Sequence, residues 1–139
     1  MKYSVVSSAE FTYPDRFQYS SSSNFMDIFA ARGGYASCQV LLRNLERPQI
    51  TVDFLDLPDG VTPEIYTLRS VMVERNEGIP DKGHKPHWPE RIAPFRVYDC
   101  LRTFDGSVDI EGNEKQGGLY IALKIAPDAK PGEIGRAHV

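Results

Sequence analysis

The chain lacks the features that define several large classes of protein. No stretch approaches the ~20 apolar residues that a membrane-spanning helix needs, and residues 1–8 contain no apolar run of signal-peptide length. Sixteen basic and nineteen acidic side chains give a formal net charge of only −3, which offers no electrostatic footprint for nucleic acid or an anionic membrane surface. We therefore expect no nucleic-acid or membrane partner and, if Met1 is the native start, a cytoplasmic location.

Cysteine is also scarce, with only Cys38 and Cys100 in the chain. Without a secretory signal, reduced thiols are expected rather than a disulfide bond. Cys38 shares a predicted strand face with Ala36, Val40 and Leu42, which predicts a small buried core residue. The mixed segment around Cys100 predicts no position for the second thiol.

Helical periodicity is missing. No window keeps apolar residues at helical spacing over ten or more residues, and only residues 114–117 carry a weak helical signal. Alternating patterns instead predict short strands, with residues 25–31 and 36–44 joined into a hairpin by the turn at 32–34. Residues 119–126 alternate strictly between an apolar face and a mixed face, and they are predicted to form the first strand of a last hairpin that turns at Pro131-Gly132. The other predicted strands are 4–7, 10–13, 50–55 and 65–73. We therefore predict an all-β fold.

The spacing of turn signals, about every 8–12 residues, is typical of a sandwich. It predicts two packed antiparallel sheets with about seven to nine strands, immunoglobulin-like or jelly-roll-like, because a single open sheet would leave an apolar face wet. A length of 139 residues with 41% hydrophobic side chains suits one domain spanning residues 1–139. The long strand at 65–73 is apolar on both faces, so it is predicted to lie between two layers or to contact a neighbouring domain.

No set of residues has the pattern of a self-sufficient active site. Glycoside hydrolysis needs two carboxylates across a cleft, but the available pairs lie in turns or on polar strand faces, where a solvated charge is the default. The pairs are Asp53 and Asp56, Asp99 and Asp105, and Asp109 and Glu111. There is no nucleophile elbow and no phosphate-binding loop before a helix. We therefore predict that the chain alone is not an enzyme and needs no cofactor.

The segment 76–94 is the longest predicted excursion, and loops of this length are often functional. His84 and His87 place two imidazoles three residues apart, but only Asp81 or Glu90 lies near enough in sequence to add a ligand. Because this does not complete a four-ligand shell, we predict no metal site there.

Trp88, the only tryptophan, has three alternative roles. Its indole is suited to stack on the C–H face of a sugar beside His87 and Glu90, to close the end of the core, or to pack against a following domain. Closing the core is the commoner role, and Tyr98 and Tyr120 present the same alternatives. The candidate sugar or domain-interface contacts are therefore His84, His87, Trp88, Glu90 and Tyr98.

Three segments share a pattern with one known family. Residues 29–43, FAARGGYASCQVLLR, are close to a strand-turn-strand pattern A-x-R-G-E … F-Q-V-V-L, and residues 119–139 are close to a closing hairpin W-V-T-V-x-V-P-x-D-A-x-P-G-x-Y-x-G-x-V-x-V. Residues 79–81, Ile-Pro-Asp, stand where Y-P-D is usual. By these segments the chain resembles the N-terminal domain of bacterial exo-β-N-acetylgalactosaminidases and their uncharacterised relatives. It departs from the pattern at Gly34, Cys38 and Ile134, where an acidic residue and two aromatic residues are usual.

The resemblance implies a β-sandwich that precedes a catalytic barrel, with the chemistry confined to the barrel. No residue here matches a catalytic position of that family. The expected function is a non-catalytic accessory domain that packs against the following catalytic domain and borders its sugar cleft through the loop at 80–94. Because the chain stops inside a predicted strand at Val139, we expect it to be the N-terminal part of a longer protein.

Two alternatives stay open. An independent carbohydrate-binding module requires a row of two or three exposed aromatic side chains on one sheet face, for which the sequence offers Tyr66, Trp88, Tyr98 and Tyr120. A structural or oligomerisation domain requires a large exposed apolar patch without a polar rim. Which sugar is involved cannot be derived from the sequence.

Overall fold

A computed structural model of the chain describes residues 1–76, 91–132 and 136–138, the last three by their backbone. These ranges contain seven strands and no helix, which confirms the all-β prediction. The strands are Lys2–Ser7 (β1), Tyr35–Arg43 (β2), Asp53–Leu55 (β3), Val61–Val73 (β4), Phe95–Thr103 (β5), Gly117–Ile125 (β6) and Arg136–His138 (β7).

Five of the strands form one antiparallel sheet in the order β1-β2-β6-β4-β5, and β3 pairs with β7. Strand β6 lies at the centre of the sheet, with β2 on one side and β4 on the other. Its alternating sequence explains this position, because Leu119 and Ile121 are buried on one face while Ala122 is buried on the other. The predicted alternation of β6 is therefore confirmed.

Three local predictions are wrong. Residues 25–31 and 10–13 form no strand, and β7 pairs with β3 instead of closing a hairpin on β6. Near the turn at 32–34, the Gly33 N–H donates to the Ile125 carbonyl at 2.9 Å and the Ile125 N–H donates to the Gly34 carbonyl at 2.9 Å. The turn therefore extends the β2–β6 ladder. Residues 114–117, which carry the weak helical signal, form the turn that enters β6.

One face of the sheet carries the larger apolar cluster. It is covered by residues 45–55 and 104–110, which include Phe54 and Phe104. The buried members are Val40, Leu42, Leu45, Val108, Leu119 and Ile121. Cys38 packs against this cluster, as predicted for a core residue, and burial raises the pKa of its thiol to about 11.

The opposite face is covered along only part of its length. Residues 12–19 pack over Leu41 and Leu68, and the fully buried Gln116 holds this segment by donating from Nε2 to the carbonyl oxygens of Tyr13 at 2.8 Å and Arg16 at 3.0 Å. Further along the same face the side chains are half-buried or exposed. This uncovered part of the sheet contains the candidate site.

Candidate functional site

The open face, as we call the uncovered part, carries three tyrosines from three neighbouring strands: Tyr35 on β2, Tyr120 on β6 and Tyr66 on β4. Tyr66 and Tyr120 are direct partners in the β4–β6 register, with ring centroids 6.5 Å apart and planes inclined by 60°. Side chains that alternate along each strand and pair across strands share one face of a sheet. The register of the three strands therefore places the three rings on one surface.

Hydrogen bonds fix the orientation of two of these rings. The Tyr120 hydroxyl donates to Ser37 Oγ at 2.9 Å, and the Tyr66 hydroxyl donates to Glu64 Oε2 at 3.0 Å. This bond to the Glu64 carboxylate, together with the negative charge, raises the pKa of Tyr66. Both rings consequently present an apolar surface with a polar end that is already anchored.

An open groove of about 380 Å³ lies beside the tyrosine pair. Its walls are residues 8–11 and residues 98–101 of β5, and its floor is formed by Gln39, Leu68 and Tyr120. Phe11 stands on one wall with 66% of its surface exposed. The groove therefore combines the apolar surfaces of Leu68, Tyr120 and Phe11 with a few polar groups, a combination that small-ligand sites share.

A β-bulge shapes the second wall. Tyr98 pairs with Ser70 and Cys100 pairs with Arg69, so Asp99 is the extra residue of β5. Asp99 is exposed, and its carboxylate makes no hydrogen bond or ion pair with any residue in the described ranges. A bulge redirects side chains locally, and here Asp99 and Cys100 both line the groove.

Gln39 fixes the first wall to the sheet. Its Nε2 donates to the carbonyl oxygens of Ser7 at 2.9 Å and Glu10 at 2.8 Å, and its Oε1 accepts from Thr12 Oγ1 at 2.6 Å. The Tyr98 N–H donates to the Thr12 carbonyl at 2.9 Å, which ties the first wall to the second. The groove is therefore formed before any ligand arrives.

The charge of the groove is negative. Glu10 and Asp99 line it, whereas no lysine, arginine or histidine does so among the described residues. Although partial desolvation acts to raise it, the pKa of Glu10 is lowered overall because the hydroxyls of Ser20 and Ser21 donate to this carboxylate. Glu10 is therefore ionised at neutral pH.

Neither a protein-family model nor a curated protein matches this chain. The geometry of the open face and the resemblance of the three sequence segments are therefore the grounds for a functional proposal.

Of the residues singled out from the sequence, only Tyr98 can be placed. His84, His87, Trp88 and Glu90 lie outside the described residues. Tyr98 borders the groove but is only 6% exposed, because its ring belongs to the core cluster beneath it, and burial raises its pKa above the usual range. Its ring is therefore a packing element and offers no exposed stacking surface.

Three of the six carboxylates considered as acid and base candidates, Asp105, Asp109 and Glu111, form surface ion pairs. Arg102 contacts Asp105 at 2.8 Å and Asp109 at 3.3 Å. Glu111 contacts Arg96 at 3.4 Å. The Ser107 hydroxyl and the Arg102 guanidinium, which both donate to Asp105, lower the pKa of this carboxyl to about 2.

Two features of the described ranges bear on other classes of site. No group of three His, Cys, Asp or Glu side chains within them is arranged to hold a metal ion. No helix within them is long and apolar enough to cross a membrane.

The groove was not predicted from the sequence. Glu10 and Phe11 were predicted to lie in a strand and Asp99 to be a solvated charge, although the structure brings all three to one groove. The bulge that exposes Asp99 depends on the register between two strands that are distant in sequence, and no local pattern signals it. The pairing of Tyr66 with Tyr120 follows equally from strand order, which the sequence did not predict.

Proposed function

We propose that this chain is a non-catalytic accessory domain of a glycoside hydrolase-like protein and that its open face contacts carbohydrate. The observation that carries the proposal is the pairing of Tyr66 with Tyr120 on an uncovered sheet face beside the groove. A set of aromatic side chains on one sheet face is the feature expected of a carbohydrate-binding surface. The resemblance of residues 29–43 and 119–139 to a domain of glycoside hydrolases supports the same class of ligand.

The surface has the two kinds of group that a sugar ring requires. An aromatic face packs against the C–H groups of a pyranose, and nearby carboxylates accept hydrogen bonds from its hydroxyls. Because the planes of Tyr66 and Tyr120 are inclined by 60°, they do not form one flat platform. We therefore assign the stacking to single rings, with Tyr120 on the floor of the groove and Phe11 on its wall.

Glycan-array screening of the isolated chain, followed by NMR titration, tests this proposal. Phe11→Ala is the informative variant because its ring is 66% exposed and contributes little to the core. Phe25→Ala removes a similarly exposed ring that does not line the groove, so it is the matched control. We expect affinity to fall about tenfold for Phe11→Ala, the loss of one stacking contact of ~1.4 kcal/mol, and to be unchanged for Phe25→Ala.

Two results would count against the proposal. Absence of binding to any glycan on the array would remove the carbohydrate-contact function. Hydrolysis of aryl glycosides by the isolated chain would contradict a non-catalytic role.

A second candidate function, docking against a following catalytic barrel, is favoured by the segment 25–31. Phe25 and Phe29 are 71% and 92% exposed on a segment without strand or helix. Burying an exposed phenylalanine in an interface contributes about 1.5–3 kcal/mol, so the pair provides a strong anchor for a partner surface. The notion that residues 1–139 precede such a barrel is part of this proposal.

Reading the gene beyond the codon for Val139 tests whether a barrel follows. If it does, the two parts expressed separately should associate in a pull-down assay. The double variant Phe25→Ser/Phe29→Ser should weaken the association at least tenfold, whereas Tyr3→Ser, which removes another exposed ring, should not. An unaltered association in the double variant would contradict this docking surface.

Two finer structural statements belong to the same proposal. We propose that the β3–β7 pair and residues 104–110 complete a second layer, so that the whole forms an antiparallel β-sandwich. The packing of Phe54 on β3 against the larger apolar cluster supports this arrangement. A cytoplasmic location is likewise proposed, and fractionation of the producing cells with an antibody against the chain tests it.

A further inference from the structure

We infer that the groove between residues 8–11 and 98–101 binds uncharged sugar units and excludes glycans that carry carboxylates. This inference rests on the proposed carbohydrate contact and adds the class of glycan to it. Its basis is the composition of the groove, which combines an aromatic wall and floor with two carboxylates and no basic side chain among the described residues.

Asp99 is the group that selects the ligand. An ionised carboxylate only accepts hydrogen bonds, and sugar hydroxyls are donors that form short, strong O–H···O⁻ bonds with it. As the extra residue of the bulge, Asp99 lines the groove without a partner among the described residues, so its lone pairs are available to a ligand. A ligand carboxylate offers no donor at neutral pH and is repelled by the same charge.

Glu10 has a different part in the same selection. Its carboxylate already accepts hydrogen bonds from Ser20 and Ser21, and the latter bond is 2.7 Å long. Because these hydroxyls occupy it, Glu10 contributes negative charge to the groove more than binding capacity. Two carboxylates on opposite walls therefore act against an acidic sugar from both sides.

Matched oligosaccharides separate the effect of charge from that of shape. The neutral probes are six-unit β-linked oligomers of glucose, galactose and N-acetylglucosamine. The acidic probe is the six-unit β-linked glucuronate oligomer, which differs from the glucose oligomer by a carboxylate at C6. Binding is measured by titration calorimetry and by NMR shift changes at the backbone amides of Phe11, Asp99 and Tyr120, at low and at high salt.

Asp99→Asn and Asp99→Lys are the informative variants, and Asp128→Asn, an exposed carboxylate outside the groove, is the control. For the unaltered chain we expect a neutral probe to bind at least about fivefold more tightly than the glucuronate oligomer, with the difference shrinking at high salt. Asp99→Asn should narrow this preference and Asp99→Lys should reverse it, while Asp128→Asn should leave it unchanged.

The possible outcomes distinguish a failure of the charge selection from a failure of the proposed carbohydrate contact. If no oligomer binds and the glycan array is also negative, both fail. If a neutral and an acidic oligomer bind equally well, or if binding shifts signals outside the groove, this inference alone is overturned. Binding of a six-unit glucosamine oligomer more than tenfold tighter than its acetylated counterpart would also overturn it, because the groove would then be a cation site.

Discussion

The side chain of Gln39 is the contact on which the shape of the groove depends most directly. It is 5% exposed and uses both of its N–H donors and its carbonyl oxygen to hold residues 7–12 against the sheet. Gln39→Met keeps the length and approximate volume of the side chain and removes every one of these bonds. It therefore tests the hydrogen bonds separately from the packing.

The expected cost follows from the partners that are left behind. Three net hydrogen bonds at about 1 kcal/mol each give a loss of about 3 kcal/mol in the free energy of unfolding. The Ser7 carbonyl also accepts from the Glu10 N–H at 3.2 Å, so it is not left without a partner and the loss is somewhat smaller. We expect about 2–3 kcal/mol, which leaves a typical domain of 5–15 kcal/mol folded.

Urea denaturation followed by far-UV circular dichroism measures this change. With a slope of about 1.5 kcal/mol per molar urea, the midpoint should fall by roughly 1.3–2 M. Gln18→Met, which changes an exposed glutamine beyond that segment, is the control and should move the midpoint by less than about 0.3 M. If Gln39→Met and Gln18→Met behaved alike, the wall of the groove would not depend on this glutamine, and the argument that the groove is formed in advance would fail.

Three further predictions concern packing, thiol reactivity and acid stability. Gly117→Ala places a Cβ 2.9 Å from a Val108 methyl and 3.0 Å from a backbone oxygen, so urea melts should show a loss of about 1–3 kcal/mol in the free energy of unfolding. Gly132→Ala places its Cβ in open space and should leave the stability unchanged. Ellman's reagent at pH 8 should modify one thiol rapidly in the folded protein, and this fast reaction should be lost in Cys100→Ser but not in Cys38→Ser. Two equally fast thiols would contradict the burial of Cys38. The pKa of the Asp105 carboxyl is lowered to about 2 in the folded chain, so its stabilising contribution is complete above pH 4 and is lost as the pH falls toward 2. NMR titration of this carboxyl should give a midpoint near 2, and a midpoint near 4 would refute the ion pair.

The part of the fold that could be predicted from the sequence is the part that depends on local alternation. Strands β6 and β2 alternate apolar and polar or small residues around buried positions such as Leu119 and Val40, and both were predicted within a few residues. The segment 25–31 carries a similar pattern but has no neighbouring strand, and its phenylalanines are exposed. Alternation indicates that one face of a segment is apolar, but it does not indicate which part of the chain covers that face.

The candidate site required information that local patterns do not contain. Tyr66 and Tyr120 are 54 positions apart and meet only because β6 and β4 are neighbours in the sheet. The sequence predicted instead that β6 pairs with the last strand. A shift in register between β4 and β5 places Asp99 in the lining of the groove. Strand order and register arise from the packing of the whole chain, so side chains that converge through them are found in the structure and not in the sequence.

The way in which the segment 7–16 is held to the sheet bears on the exposure of Phe11. The segment 7–16 is held by two buried glutamines, Gln39 and Gln116, which bond to its backbone carbonyls and, among its side chains, to the Thr12 hydroxyl. Its position therefore does not require Phe11 to be buried, and folding gains little from an aromatic residue at that point. Under the proposed function, a ligand covers this phenylalanine, because Phe11 lines the same groove as an unpaired carboxylate and a half-buried tyrosine.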